Sequence, residues 1–209
     1  MKLYILVSFH ILFTFCAHTQ CTGTGTSLAT LYNSDNSNKG VMFNIVATNT
    51  VTLICFDVNL IGFITGTFEI YYKVGTYVGS QGNAAAWTMV GSNSVTALGI
   101  NNPTPIDIPL NIVIPAGQTY GFYITNNDNT LPAGVRYTNG ASTTLASDAN
   151  VSIVGGIGKA YPFGNDVASR RFNGTLHYAL GNVLPVELVS FYATPLNDRV
   201  KMSWKTESE

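Results

Sequence analysis

Apolar and polar residues alternate with a period of two over most of this chain. Phe68, Ile70, Tyr72 and Val74 alternate with Glu69, Tyr71 and Lys73, and Tyr120, Phe122 and Ile124 with Thr119, Gly121 and Thr125. Ile106, Ile108, Leu110, Ile112 and Ile114 share one phase against Asp107, Pro109, Asn111 and Val113. Successive side chains of a strand point to opposite faces, so each run predicts a strand with one face on a core and one toward water. Phe68, Ile70, Tyr72, Ile108, Leu110, Ile112, Tyr120, Phe122 and Ile124 are therefore expected to bury together between two sheets. Residues 41–47 and 51–60 are apolar on both phases, which predicts central strands. Pro109 lacks an N–H and assigns its strand to an edge or a bulge.

Residues 33–40, 79–83, 101–105, 115–117, 126–129 and 155–158 concentrate Asn, Asp, Gly, Pro and Ser and read as loops. No window has the pattern of an amphipathic helix; residues 83–86 allow one helical turn. Many short strands with frequent turns predict an all-β fold, an antiparallel β-sandwich. A jelly roll is the first choice and an immunoglobulin-like sandwich the second.

Export is written at the N-terminus. Met1-Lys2 precedes an apolar stretch from Leu3 to Phe15, and Ala17 and Thr19 stand at −3 and −1 before Gln20. This predicts a signal peptide over residues 1–19, too short to remain as a membrane span. Phe15 before Cys16 and Gln20 before Cys21 do not fit a lipid-anchor signal. Two cysteines, Cys21 and Cys55, remain after cleavage. An oxidising compartment permits a disulfide between them, while Cys55 also suits the role of a small buried hydrophobe in its apolar strand.

Charged residues make up only 10% of the chain, with a net charge of −1, against about 25% in ordinary domains. With 46% hydrophobic residues, this is a folded domain with an uncharged surface, and it has no basic stripe for nucleic acid. Candidate chemistry is correspondingly thin. His177 is the one histidine beyond the signal, on the outer phase of a strand, so neither a hydrolytic triad nor a zinc site is expected. Asp57 and Glu69 lie in neighbouring predicted strands and would face each other across a hairpin. They form the best carboxylate pair for a glycosidase, although both fit better as outward, solvated strand residues. The Gly155-Gly-Ile-Gly-Lys159 stretch lacks the spacing and the Ser or Thr of a phosphate loop. Its glycines suit a tight bend.

No catalytic residue, cofactor or metal ligand is assigned. Structural calcium is the one cofactor the composition leaves open, through the oxygen-rich loops 33–38 and 126–129 with Asp35 and Asp128. Tyr71, Tyr123, Tyr77, Trp87 and Tyr161, with amides such as Asn83, Asn126 and Asn139, would suit a neutral glycan if exposed. Trp87 and Tyr161 equally suit plugs at the ends of a sandwich.

Two resemblances add an address. Leu184-Pro-Val-Glu-Leu188, Phe191, Val200, Met202, Trp204, Thr206, Ser208 and Glu209 resemble the start of the segment before the sorting domain of type IX-secreted bacterial proteins. Residues 41–178, including Glu69-Ile-Tyr-Tyr-Lys73 and Ile114-Pro-Ala-Gly-Gln-Thr-Tyr-Gly-Phe-Tyr123, resemble secreted bacterial β-domains of unknown ligand. Together they imply a β-sandwich over residues 20–182. Residues 183–209 are then the two-strand, incomplete start of a fibronectin- or immunoglobulin-like domain, with Trp204 poorly covered. They also imply export through the type IX machinery to the exterior or outer surface of a Gram-negative bacterium. The function so implied is non-catalytic binding or adhesion, with an extracellular glycan or matrix as partner. The alternative is an accessory domain of a secreted glycosidase or peptidase whose catalytic part is not in this chain.

Overall fold

The computed structural model describes residues 25–63, 65–128, 134–141, 143–167, 169–181, 188–196 and 199–206. The signal segment, Cys21 and residues 182–187 lie outside them. Strands are numbered along the chain. In one sheet β4 (Val51–Asn59) lies between β15 (Gly174–Leu180) and an edge made by β7 (Pro103–Pro105) and β8 (Ile112–Ile114); β1 (Thr26–Ala29) flanks β15. The second sheet runs β11 (Thr144–Ser147), β12 (Val151–Lys159), β3 (Gly40–Ala47), β9 (Thr119–Asn126), β5 (Thr65–Val74), β6 (Thr88–Thr96), with β13 (Asp166–Val167) on β12. A small sheet joins β14 (Arg170–Phe172), β10 (Val135–Asn139) and β2 (Asn36–Asn38), and β16 (Leu188–Leu196) pairs with β17 (Arg199–Thr206). These pairings are antiparallel. Residues 84–86 form the one 3-10 turn among the described residues. The molecule is an all-β antiparallel sandwich.

The core lies between the two large sheets. Phe68, Ile70, Ile108, Leu110, Ile112, Phe122 and Ile124 are buried in it, and Tyr72 and Tyr120 pack half-buried at its border, as the period-two phase requires. Phe43 of β3 meets Phe56 of β4 edge to face at 5.7 Å and stacks on Phe172 of β14 at 4.0 Å. Three sheets thus converge on one aromatic contact. β3 and β4 are central, as expected from their two-sided apolarity.

Two sequence expectations change here. The 106–114 run is not one strand. Between β7 and β8 the chain follows the β4 edge through two bonds, Ile106 N–H to Phe56 and Leu110 N–H to Ile54. Asp107 and Asn111 take left-handed φ of 53° and 49°, so the surplus residues bulge outward while the isoleucines and Leu110 stay buried. Pro109 is tolerated because this is an edge. Residues 155–158 are not a bend but part of β12. Gly155 marks a bulge opposite β3, and a Cβ at Gly158 would stand 2.5 Å from the Tyr137 hydroxyl. These glycines serve close approach within a sheet.

The small sheet closes one end of the sandwich, contributing Val135, Tyr137 and Phe172 to the core near Asn126 and Gly40. At the opposite end, a cleft lies between the ends of β5, β6 and β9 and residues 110–113. In the separate hairpin, Phe191 opposes Trp204 and Ala193 opposes Met202. Phe191, Met202 and Trp204 are 56%, 60% and 65% exposed, in line with the poor cover expected for Trp204.

Candidate functional site

Asp57 and Glu69 do not face each other. Asp57 lies on β4, between the inward Phe56 and Val58; Glu69 lies on β5, between the inward Phe68 and Ile70. The strands belong to different sheets, so the two carboxylates occupy opposite outer faces with the core between them. No cleft holds both, which overturns the hairpin pairing expected from sequence. A glycosidase pair must flank one bond at about 5–10 Å.

Nor is either of them solvated as expected. Asp57 Oδ2 pairs with His177 Nε2 at 2.8 Å, with the two side chains 14% and 22% exposed. The neighbouring Tyr32 hydroxyl bonds Thr175 Oγ1 at 3.0 Å, and burial, partly offset by that bond, pushes its phenol pKa up. Across the core Glu69 is buried. Its carboxylate accepts from the Tyr71 hydroxyl and the Asn127 amide, each at 2.7 Å, with the Tyr161 hydroxyl at 3.5 Å. Burial first, then the hydrogen bond to Glu69 and its charge, raises the Tyr71 pKa. His177 is therefore half-buried and paired rather than an exposed strand histidine. Among the described residues its ring bonds Asp57 and no serine hydroxyl.

The oxygen-rich loops are bound into the fold. Asp35 Oδ1 accepts the Asn139 N–H, and Asn101 Oδ1 accepts from Ser34 N–H, Ser34 Oγ and Asn59 Nδ2. In the second loop Asn126 Oδ1 accepts the Asp128 N–H, and the Lys39 ammonium bonds the Asp128 carbonyl. A lysine on that carbonyl opposes a cation there. Among the described residues no group of three His, Cys, Asp or Glu converges on a point.

The aromatic residues expected outside form a second, smaller core. Met42, Tyr77, Trp87, Tyr123 and Ile157 are buried together on the outer face of the second sheet, with Tyr71 and Phe163 against them. Tyr123 is fully buried, its hydroxyl on Thr125 at 3.0 Å, and burial raises its pKa. Trp87 donates its indole N–H to the Ser80 carbonyl at 2.9 Å, the plug role rather than a platform. Gly121 lets the cover close, since a Cβ there would stand 2.8 Å from the Tyr77 nitrogen. The other side of the cover is pinned by Lys159, buried on β12, which pairs with Asp166 at 2.5 Å and donates to the Gly164 carbonyl. Asn83 is exposed at the start of the turn that leads into Trp87. Asn126 and Asn139 are held in loop contacts.

One open region lies at the end of the sandwich beyond Tyr72 and Tyr120. A cleft of about 340 Å³ lies there, lined by Tyr72, Val74, Val90, residues 110–113 and Tyr120. The Tyr72 and Tyr120 rings are parallel within 10°, their centroids 6.2 Å apart. No sequence signal singled it out, because Tyr72 and Tyr120 read only as core residues. Elsewhere, Cys55 on the outer face of the first sheet is disulfide-bonded, which replaces its reading as a lone buried hydrophobe. The chain's other cysteines, Cys16 and Cys21, lie outside the described residues.

No known protein family matches the chain, and no curated protein matches it. Among solved structures, the infectious bursal disease virus VP2 subviral particle aligns at 13% identity and TM-score 0.17, over 75% of this chain and 39% of the viral one. The chain spans well under half of that protein, and at that score the alignment says nothing of fold or role.

Proposed function

We propose that this chain is an exported, non-catalytic binding or adhesion module, acting outside a Gram-negative cell on a neutral glycan or matrix. The observation that carries this reading is the separation of Asp57 from Glu69 by the whole core, each already engaged by neighbouring side chains. An acid–base pair needs two carboxyls with divergent proton affinities around one cleft. A weakly charged surface, by contrast, favours an uncharged partner. The signal-like N-terminus and the sorting-segment resemblance of residues 184–209 support type IX export as the route.

The test has two parts. Printed on a glycan array, the protein is expected to be retained by neutral glycans; retention by none of them removes the glycan reading. Expressed in a type IX-competent bacterium, it is expected at the cell surface or in the medium. Unchanged localisation in a strain lacking that machinery refutes the route.

A further inference from the structure

We infer that the cleft beside Tyr72 and Tyr120 is a binding site for a single neutral sugar ring. This rests on the reading of the chain as a binding module, and it assigns the contact residues.

The cleft combines two kinds of wall. Val74, Val90, Leu110 and Ile112 offer aliphatic surface, and the stacked Tyr72 and Tyr120 add flat aromatic edge and face. The lining also includes the Tyr72 and Tyr120 hydroxyls and the Asn111 amide, none with a hydrogen-bond partner among the described residues. This sets them apart from Tyr32, Tyr71, Tyr123 and Tyr178, whose hydroxyls are all engaged. Uncommitted donors and acceptors beside aliphatic and aromatic walls are the usual make-up of a small-molecule site.

Charge and size then select the ligand class. No charged residue lines the cleft. The nearest cation in sequence, Lys73, has its ammonium on the carbonyls of Val74 and Thr76. A charged ligand would enter without a counter-ion and lose its hydration. A sugar ring instead presents C–H faces to the aliphatic and aromatic walls and hydroxyls to the phenols and the amide. The volume of about 340 Å³ is near the lower end of the ~300–1,000 Å³ range of such sites, which suits one ring with its glycosidic substituent leading out of the open end. Asn111 stands exposed at the cleft on a left-handed backbone at φ 49°, a conformation Asn tolerates better than most residues.

The experiment is a titration of the uniformly ¹⁵N-labelled chain with methyl glycosides of glucose, galactose, mannose and N-acetylglucosamine, and with glucuronate as the charged control. At least one neutral glycoside is expected to shift the amides of residues 72–74, 110–113 and 119–121, with Kd on the order of 1 mM. Tyr120→Phe and Asn111→Ala should each weaken it about fivefold, the range of one lost neutral hydrogen bond, with thermal midpoints unchanged. Val74→Trp, at an exposed rim position, should block the site without touching the core. Absence of cleft shifts with every glycoside overturns the proposal, as does equal binding of glucuronate. If the glycan array is positive while the cleft amides stay silent, the assignment of this cleft fails and the binding-module reading survives. A negative array with silent amides removes both.

Discussion

His177 Nε2 lies 2.8 Å from Asp57 Oδ2 on the outer face of the first sheet, joining β15 to β4 diagonally. The pair is a cross-strand brace, since Asp57 is registered with Thr175 and His177 with Cys55. The second carboxylate oxygen, Oδ1, is buried without a hydrogen-bond partner. Asp57→Asn and His177→Gln are each expected to lower stability by about 1 kcal/mol, a charged hydrogen bond discounted for partial exposure. In urea denaturation the double mutant should cost clearly less than the sum of the singles. Strict additivity would show that the two side chains do not interact.

Lys159 anchors the loop that carries Tyr161 and Phe163. Its ammonium is buried and held by Asp166 and the Gly164 carbonyl. Removing the partner of a buried charge leaves it uncompensated, whereas replacing the lysine by an apolar chain is far milder. Asp166→Ala should therefore destabilise more than Lys159→Met. Asp166 is itself 42% exposed, so water softens the loss to roughly 1–2 kcal/mol. Thermal melts of the two variants give the order directly, and the reverse order would refute this account of the loop.

Gly174 opens β15 against the aromatic contact of the core. A Cβ there would overlap the Phe172 ring and approach the Asp57 carbonyl at 2.7 Å. Phe172 is itself stacked on Phe43 and has no room to retreat. Gly174→Ala is expected to cost more than about 2 kcal/mol, the range of an overpacked core. Gly82→Ala, with nothing within 4 Å of its Cβ, should stay within about 0.5 kcal/mol. Chemical denaturation of both variants reads this contrast.

The sandwich and its core phase were legible because burial on one face enforces period two. Phe68, Ile70, Phe122 and Ile124 announce their side without help from distant residues. What the alternation cannot say is whether the other face is covered. Tyr123 has the outward phase, yet segments around Tyr77, Trp87 and Phe163 fold over it. Glycine was ambiguous for a related reason. In residues 155–158 it signals close approach of neighbouring strands, which composition does not separate from a turn. The Asp57–Glu69 pairing failed because adjacency in sequence does not reveal that the chain crosses to the other sheet between β4 and β5. The cleft beside Tyr72 and Tyr120 was invisible, being a place where the core stops rather than a motif.

Alkaline pH offers a further check. Burial pushes the phenol pKa values of Tyr32, Tyr71, Tyr123, Tyr137, Tyr161 and Tyr178 above the ordinary 10.0. The unfolded chain then loses protons first as pH rises, so stability falls with pH once 10 is passed. Below that pH these groups are neutral in both states and contribute no slope. The urea midpoint should be flat from pH 8 to 9.5 with respect to tyrosine and decline above pH 10. Phenolate absorbance near 295 nm from these tyrosines should grow in step with unfolding. Full titration of all tyrosines near pH 10 in a still-folded protein would contradict the burial described.

The most direct test of the central claim is a reducing-end assay on glycans that the protein retains. Bound polysaccharide is incubated with wild-type protein, Asp57→Asn and Glu69→Gln, and released reducing ends are counted against a buffer blank. The account predicts retention with release equal to the blank for all three proteins. Release by the wild type that is lost in either variant would show a carboxylate acting catalytically, and would contradict the reading of this chain as a module that binds without turnover.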